Sequence, residues 1–418
     1  MTRLGDVCEI RYGKDHKKLS DGSIPAYGSG GIIRYVDTAI CEKPSVLIPR
    51  KGTLGNLFYT DKPFWTVDTL FWTNIDQTKI VPKYLYYQLK QKDLASYNVG
   101  TAVPSLTVEI LNEIDFEVPS IDKQKRIVEV LNSFDSKIAL NNQLNDYLEQ
   151  LCQSLFNRFD NDENNPFVKV SDIADVNPRR TLKKGEEALC IEMADLSTTG
   201  AFPTDWRTKA YNGGVKFVNG DTILARITPC LENGKAGYIN FLEQDEVAFG
   251  STEYIVLTSK GELPSEFFYF LARNEDFISY ATAHMNGSSG RQRVSGSDVG
   301  NYEVRMPSEK QISEFRKIAG NAIRVISASS IESRKLAQLR DALLPKLMSG
   351  EIDASKVELT QLTNNHLAGR MHWSTVIRVR AIHAVHSRQS QIPAYESVPR
   401  VPRVPRVPRV LHSHVTPP

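Results

Sequence analysis

The sequence predicts an α+β protein: two similar, mostly-β globular domains joined by two long helices that pack antiparallel as a coiled-coil spacer. Three observations carry this reading. First, "PSIDKQKRI" (119–127) returns as "PSEKQISEF" (307–315), each time opening a long charged run with helical apolar spacing. Second, "RLGDVCEIRYGK" (3–14) resembles "KVSDIADVNPRR" (169–180), and "YLYYQLK" (84–90) resembles "FFYFLAR" (267–273). Third, "SLTVEILNEIDFEVPS" (105–120) resembles "RVSGSDVGNYEVRMPS" (293–308). The landmarks recur in one order and lie too far apart for a solenoid unit, so a module of globule plus helix is used twice. The expected boundaries are 1–119 and 161–307 for the globules, 120–160 and 308–350 for the helices, and 351–418 for a tail.

Within the globules, "KPSVLIPRKGTLGNLFYT" (43–60) and "GDTILARITPCLENGKAGYI" (220–239) are apolar runs broken by Gly and Pro. Such runs read as short strands and turns around a curved β core.

The first helix is expected over residues 121–159. Ser120 suits the N-cap and Asp122 the positive end of the helix dipole. Apolar residues fall at 127, 131, 134 and 138, then resume at 144, 148, 151 and 155, a coiled-coil-like spacing. Asn141 and Asn142 interrupt this seam, either fixing its register or facing water.

The second helix opens with Ser308 and Gln311 in capping-box spacing. Its seam is Ile312, Phe315, Ala319, Ala322 and Ile326, then Leu336, Leu339, Leu343 and Leu347, diluted by Ser327, Ser329 and Ser330. Pro345 is expected to kink or end it, with Gly350 as the residue beyond the C-cap. Each rod is about 57 Å long at 1.5 Å per residue. A small globule cannot bury a seam of that length, so the two rods bury each other, with a globule at either end.

Composition narrows the function. The chain has 418 residues, enough for two or three domains, and 24% charged residues with 41% hydrophobic, which is globular. No apolar run approaches the ~18 residues of a membrane span, and the N-terminus does not read as a signal peptide. The five cysteines are scattered without a CxxC pair, which favours reduced thiols in a cytoplasm. From Lys356 onward there are nine basic and two acidic residues, a charge of +7, leaving −5 for the preceding 355 residues. The body is therefore not a general polyanion binder, and any nucleic-acid contact requires local positive charge.

The repeated openings "LGDVCEI" (4–10) and "VSDIADV" (170–176), the two helices starting near P-S-x-x-x-Q, and the close "LRDALLPKLMSGEID" (339–353) resemble the specificity (S) subunit family of type I restriction-modification enzymes. The likeness covers residues 1 to about 365. It implies that each globule reads half of a bipartite, asymmetric double-stranded DNA target. It also implies that the helices set the spacing and dock two methyltransferase (M) subunits, with restriction (R) subunits joining through the complex. The subunit itself would bind no cofactor; S-adenosylmethionine, ATP and Mg would sit on the partners. The bare residues agree on one point. Two similar globules at the ends of a rod can meet two sites about one DNA turn, ~34 Å, apart. A coiled-coil scaffold with two protein-binding globules remains the alternative.

A self-sufficient enzyme does not fit. "NPF" (165–167) lacks the second proline of an adenine-methyltransferase loop and reads as a turn before a strand. "YGSGG" (27–31) lacks nucleotide-loop spacing and reads as a turn, or a loop approaching a DNA backbone. No phosphate loop is present, and His16 and His284 are too isolated for a metal site or triad.

Base reading calls for Arg, Lys, Asn or Gln on loops beside small residues. In the first globule the candidates are Lys14, Lys17, Lys18, Tyr27, Ser29, Arg34, Arg50 and Lys51. In the second they are Arg179, Arg180, Lys183, Arg226, Asn233 and Lys235, and Ser289, Arg291, Gln292 and Arg293 of "NGSSGRQRV" (286–294). Its counterpart "NVGTAVPSL" (98–106) is uncharged, as suits two domains reading different sequences. Asp68-Thr69 and Ser251-Thr252-Glu253 are expected to support these loops. Tyr147, Phe156, Phe159 and Ile331 are candidates for docking the catalytic partner or for packing within the rod. The tail's "VPRVPRVPRVPRV" (398–410) forbids helix and favours an extended, disordered 366–418. This is a non-native extension or, less favoured, a basic arm.

Overall fold

The structure is a computed structural model and describes residues 1–100, 103–288 and 290–357. Ser289 and the tail from 358, including the 366–418 stretch expected to be disordered, lie outside the described residues.

The two globules are built to one plan. In the first, a four-stranded antiparallel sheet runs Cys8–Tyr12, Leu70–Ile75, Ser45–Pro49, Phe58–Thr60. In the second, the matching order is Ala174–Val176, Tyr254–Ser259, Thr222–Ala225, Ala236–Tyr238. A second sheet accompanies each, of three strands in the first domain and four in the second, and both contain one parallel pair: Ala26 opposite Trp65, and Cys190 opposite Phe249. The second domain adds a strand, Val215–Phe217, to that sheet. Ser45–Pro49 and Thr222–Ala225 are buried throughout, which is why they read as continuous apolar runs rather than alternating ones.

The long helices span Ile121–Asp160 and Glu309–Ser349. At 1.5 Å per residue each is a rod of about 60 Å. Ser308 and Gln311 form the expected capping box, whereas Ser120 sits at the N-cap without accepting a side-chain hydrogen bond. Pro345 does not end its helix, which continues to Ser349 and closes on Gly350 in the left-handed conformation, φ 79°.

The helices pack antiparallel. Ile127, Val130, Leu131 and Phe134 share a core with the first domain and with Leu336, Leu344 and Leu347. Cys152, Leu155, Phe156 and Phe159 share the other core with the second domain and with Phe315, Ala319, Ala322 and Ile326. From Leu131 to Phe156 the helix rises about 38 Å, close to one DNA turn.

One part of the expected seam is corrected. Leu144 and Leu151 are exposed, while Asn141, Asn145 and Cys152 are buried. The seam runs 127, 131, 134, 138, 141, 145, 148, 152, 155, 159, with alternating spacings of four and three and no break. Asn141 does not interrupt the seam but belongs to it, because its amide finds polar partners across the pair. Asn142 faces solvent.

Ion pairs and aromatic contacts fix each domain on the rod. Asp135 accepts from Tyr87 (2.5 Å) and Arg340 (2.7 Å), tying the first domain to both helices. Arg334 lies 4.0 Å over the Trp206 ring, donates to Asp205 (2.8 Å) and to the Trp206 carbonyl (2.9 Å), and so ties a second-domain loop to the second helix.

Candidate nucleic-acid interface

Each domain gathers three loops at one end of its main sheet. In the first, the Arg50 N–H donates to the Thr69 carbonyl (2.8 Å), Leu106 N–H to the Arg50 carbonyl (2.9 Å), and Gly52 N–H to the Pro104 carbonyl (3.1 Å). In the second, Arg226 N–H donates to Glu253 (2.9 Å), Val294 N–H to Arg226 (3.0 Å), and Thr228 N–H to Gln292 (3.1 Å). The two sets match bond for bond. Arg50 corresponds to Arg226, Thr69 to Glu253, and Ser105, bridged to Lys51, to Arg293, bridged to Ile227. The backbone scaffold is conserved within the chain while the side chains on it change.

In the first domain this cradle holds Arg50, which donates to the Asp68 carbonyl (3.1 Å) and lies 5.4 Å over the Tyr12 ring, and the exposed Lys51. The Tyr27–Gly31 turn joins it, since Asn56 Nδ2 donates to the Ser29 carbonyl (3.1 Å). It is a β-hairpin turn, with Gly28 paired to Gly31. Tyr27, Ser29, Arg50 and Lys51 therefore belong to one surface, and the loop beside it carries the exposed apolar residues Val99 and Val103.

In the second domain Arg226, Arg291, Gln292 and Arg293 meet in the corresponding place, while Asn233 is exposed on the neighbouring turn, its N–H donating to the Pro229 carbonyl (3.0 Å). The Arg293 guanidinium grips Glu253 through Nε (2.9 and 3.0 Å) and Nη2 (2.8 Å), and its Nη1 donates to the Arg291 carbonyl (2.9 Å). Arg226 stands 3.9 Å from the same carboxylate. The hydrogen bonds from Arg293, and its charge with that of Arg226, hold the Glu253 carboxyl below its usual range, and the same bonds to Glu253, with its negative charge, raise Arg293. One carboxylate thus organises two cations, and the cluster remains net positive. Gly287 and Gly290, both at positive φ (129° and 80°), give the 286–294 loop a path that other residues rarely adopt.

Other candidates fall elsewhere. Arg180 is committed to the interior: it forms a bidentate pair with Asp221 (Nη2 to Oδ1 2.8 Å, Nε to Oδ2 3.2 Å) and donates to Thr258, and the Asp221 side chain is wholly buried. Its sequence position beside exposed Arg179 gave no hint that a buried acid 41 residues away required it. Lys235 donates to the Met193 carbonyl (2.8 Å) and Arg34 to Asp21 (2.7 Å) and Leu19. Lys14, Lys17, Lys18, Arg179 and Lys183 are exposed on loops that make none of the cradle's hydrogen bonds given above. "NPF" forms a turn entering the strand Phe167–Lys169.

Two docking candidates are corrected as well. Phe156 and Phe159 are buried in the second domain's core, where each contributes roughly 1.5–3 kcal/mol. The exposed apolar face of the first helix lies instead on Leu140, Leu144, Tyr147 and Leu151, residues that helical geometry places in one row. Sequence reasoning reached only Tyr147, having assigned Leu144 and Leu151 to the seam. It also missed Arg334 and the Asp135–Arg340 pair, whose partners are distant in sequence and carry no linear signal.

Among the described residues, no group of three or more His, Cys, Asp and Glu is placed to hold a metal, and no helix is long and apolar enough to cross a membrane.

Comparison with known proteins gives a consistent assignment. A family described as "Type I restriction modification DNA specificity domain" matches residues 1–150. The chain is 23% identical over 361 residues to the type I restriction enzyme MjaIX specificity subunit of Methanocaldococcus jannaschii, covering 77% of this chain and 80% of that one. It is 20% identical over 358 residues to the HindI specificity subunit of Haemophilus influenzae, covering 65% and 78%. The crystal structure of a type I restriction-modification S subunit from M. genitalium shares the fold, with a TM-score of 0.53 at 17% identity over 83% of this chain and 95% of that one. Two sheet-for-sheet domains on an antiparallel helix pair, together with these matches, place the chain in the type I restriction-modification specificity (S) subunit family, as a DNA specificity subunit that is itself non-catalytic and of a kind that typically binds no cofactor.

Proposed function

We propose that each globular domain reads one half of a bipartite, asymmetric double-stranded DNA target, and that the helix pair sets the gap between the halves. The observation that carries this is the cradle. The same three-loop backbone stands at both ends of one rod, with different side chains on it: Arg50, Lys51 and Ser105 in one, Arg226, Ile227 and Arg293 in the other. A constant frame with variable side chains suits recognition of two different short sequences. The ~38 Å offset along the helix suits adjacent turns of one duplex. The functional parts on this reading are 1–119 and 161–307 as readers, 120–160 and 308–350 as spacer, and 351–418 as tail.

Two methyltransferase subunits dock along the rod, and the row of Leu140, Leu144, Tyr147 and Leu151 is the surface offered on the first helix. S-adenosylmethionine, ATP and Mg are bound by partner subunits, and restriction subunits join through the assembled complex. The complex works in the cytoplasm, where its DNA is.

The test is co-expression with the cognate modification subunit in a methylation-free host, followed by genome-wide mapping of modified adenines. Two short half-sites at a fixed spacing are expected. Modification without a bipartite motif overturns the reading.

A further inference from the structure

We propose that Arg293 reads a guanine in the half-site bound by the second domain, and that Glu253 is its positioning residue. This rests on the reading above, that the cradle loops face DNA.

A guanidinium has five N–H donors. In Arg293, Nε–H and one Nη2–H are spent on Glu253, and one Nη1–H on the Arg291 carbonyl. One N–H remains on Nη1 and one on Nη2. Two donors from a rigid planar fork are what the O6 and N7 acceptors on guanine's major-groove edge take up. Adenine offers a donor at the O6 position, and the pyrimidines lack the paired acceptors, so the same fork is mismatched to them.

Arg293 is also pre-organised. A free arginine loses rotamer entropy when it is fixed. Here the side chain is already fixed before DNA arrives, by a bidentate carboxylate and a carbonyl, while remaining 36% exposed. Structural pairs do not need that exposure: Arg180 with Asp221 does the purely architectural version of the same chemistry at 19% and 0%. Arg293 stands at the surface on a glycine-rich loop, after exposed Arg291 and partly buried Gln292, and Glu253 on a separate loop.

In the first domain the position of Arg293 is Ser105 and that of Glu253 is Thr69. Both members of the pair are absent together although the backbone they stand on is retained. The backbone of the cradle therefore forms without the pair. A pair that serves a particular sequence need appear in only one domain.

Arg291 has a different role. It is exposed, and its carbonyl, not its guanidinium, serves Arg293. Its exposed guanidinium suits a phosphate contact, which contributes affinity without sequence preference.

The experiment uses the complete modification complex with the full chain. Methylomes are recorded for the parent and for Arg293→Ala, Arg293→Lys, Glu253→Gln and Arg291→Ala, and thermal melting is recorded for each complex. Arg293→Ala and Arg293→Lys are expected to relax one G·C position in one half-site, with discrimination there falling ~10–100-fold, while the other half-site and the gap stay unchanged. Glu253→Gln is expected to weaken the same position less. Arg291→Ala is expected to lower methylation at all sites alike, with a shallower salt dependence of binding.

A parent motif with no guanine in one half-site that responds to Arg293, or an Arg293→Ala motif identical to the parent's, overturns the assignment while leaving the two-domain reading intact. A parent with no bipartite motif defeats that underlying reading instead. Where an Arg293 variant abolishes methylation, the purified complex is titrated on duplexes carrying each base pair at the candidate position. Selective loss of the preference for G·C supports the proposal, and equal weakening on all four duplexes overturns it.

Discussion

The Asn141 side-chain amide donates to the Glu332 carboxylate across the helix pair at 2.7 Å, and also to the Ser329 carbonyl and the Ser333 hydroxyl. One turn on, the Asn145 amide oxygen accepts from the Ser329 hydroxyl at 2.6 Å, and its Nδ2 donates to Ser330. A polar ladder in the middle of an otherwise apolar seam specifies one alignment, because any slip leaves buried amides unpaired.

Inserting a helical turn into the spacer therefore depends on where it is matched. Four residues added within 139–146 alone separate these amides from their partners. The expected result is loss of about 1–3 kcal/mol per buried group left unpaired, read by denaturant unfolding. Four residues added there and four more opposite, within 327–333, restore the ladder and lengthen the rod by about 6 Å, or about two base pairs at 3.4 Å. Methylome mapping should then report a longer gap with both half-sites unchanged. An unchanged gap in the matched variant would sink the ruler.

Arg180 separates architecture from reading. Arg180→Ala leaves the Asp221 carboxylate buried without its guanidinium, and breaking such a pair costs about 3–5 kcal/mol. A large fall in second-domain stability is expected, with no change of methylation motif in whatever complex still assembles. A changed motif would return Arg180 to the recognition surface.

The exposed row on the first helix makes the opposite prediction. Leu144 and Leu151 are 42% and 55% exposed, so Leu144→Glu with Leu151→Glu should leave the melting temperature of the isolated chain within a few degrees. Co-purification of the methyltransferase subunit should fall at least tenfold. Full recovery of the complex would mean that docking uses another face.

Stability should respond to acid through Asp135. Burial opposes ionisation of this carboxyl, but hydrogen bonds from Tyr87 and Arg340, with the charges of Lys83 and Arg340, outweigh it and hold the carboxyl below its ordinary value. A depressed folded pKa means stability that is present above the unfolded value, about 3.9, and lost as pH falls through the folded one. Glu149 runs the other way. Burial raises it, ahead of the hydrogen bonds from the Ala201 N–H and the Tyr269 hydroxyl that oppose the shift. Its contribution is full below about 4.3 and is lost as pH rises through its raised value. Melting against pH should show Asp135→Asn flattening the acid limb, and Glu149→Gln gaining on the parent as pH rises from 4 to 7. A parallel offset at all pH values would contradict both assignments.

The sequence by itself determined the duplication, the two long helices, the capping box of the second, the β-rich globules and the glycine-punctuated loops that form the two cradles. These follow from local rules: periodicity, Gly and Pro punctuation, and repeated order. It also located Arg291, Gln292 and Arg293, because glycine-flanked charge is a local signal. What only the tertiary structure decided is which partner each polar group takes. Asn141 and Asn145 join the seam because Ser329, Ser330 and Glu332 stand opposite, so the leucines at 144 and 151 turn outward. Arg180 goes inward to Asp221, and Arg293 stays at the surface on Glu253. An apolar side chain needs only to be buried, and period counting finds it. A polar one needs a particular atom at about 3 Å, and that atom belongs to residues brought near only when the chain has folded.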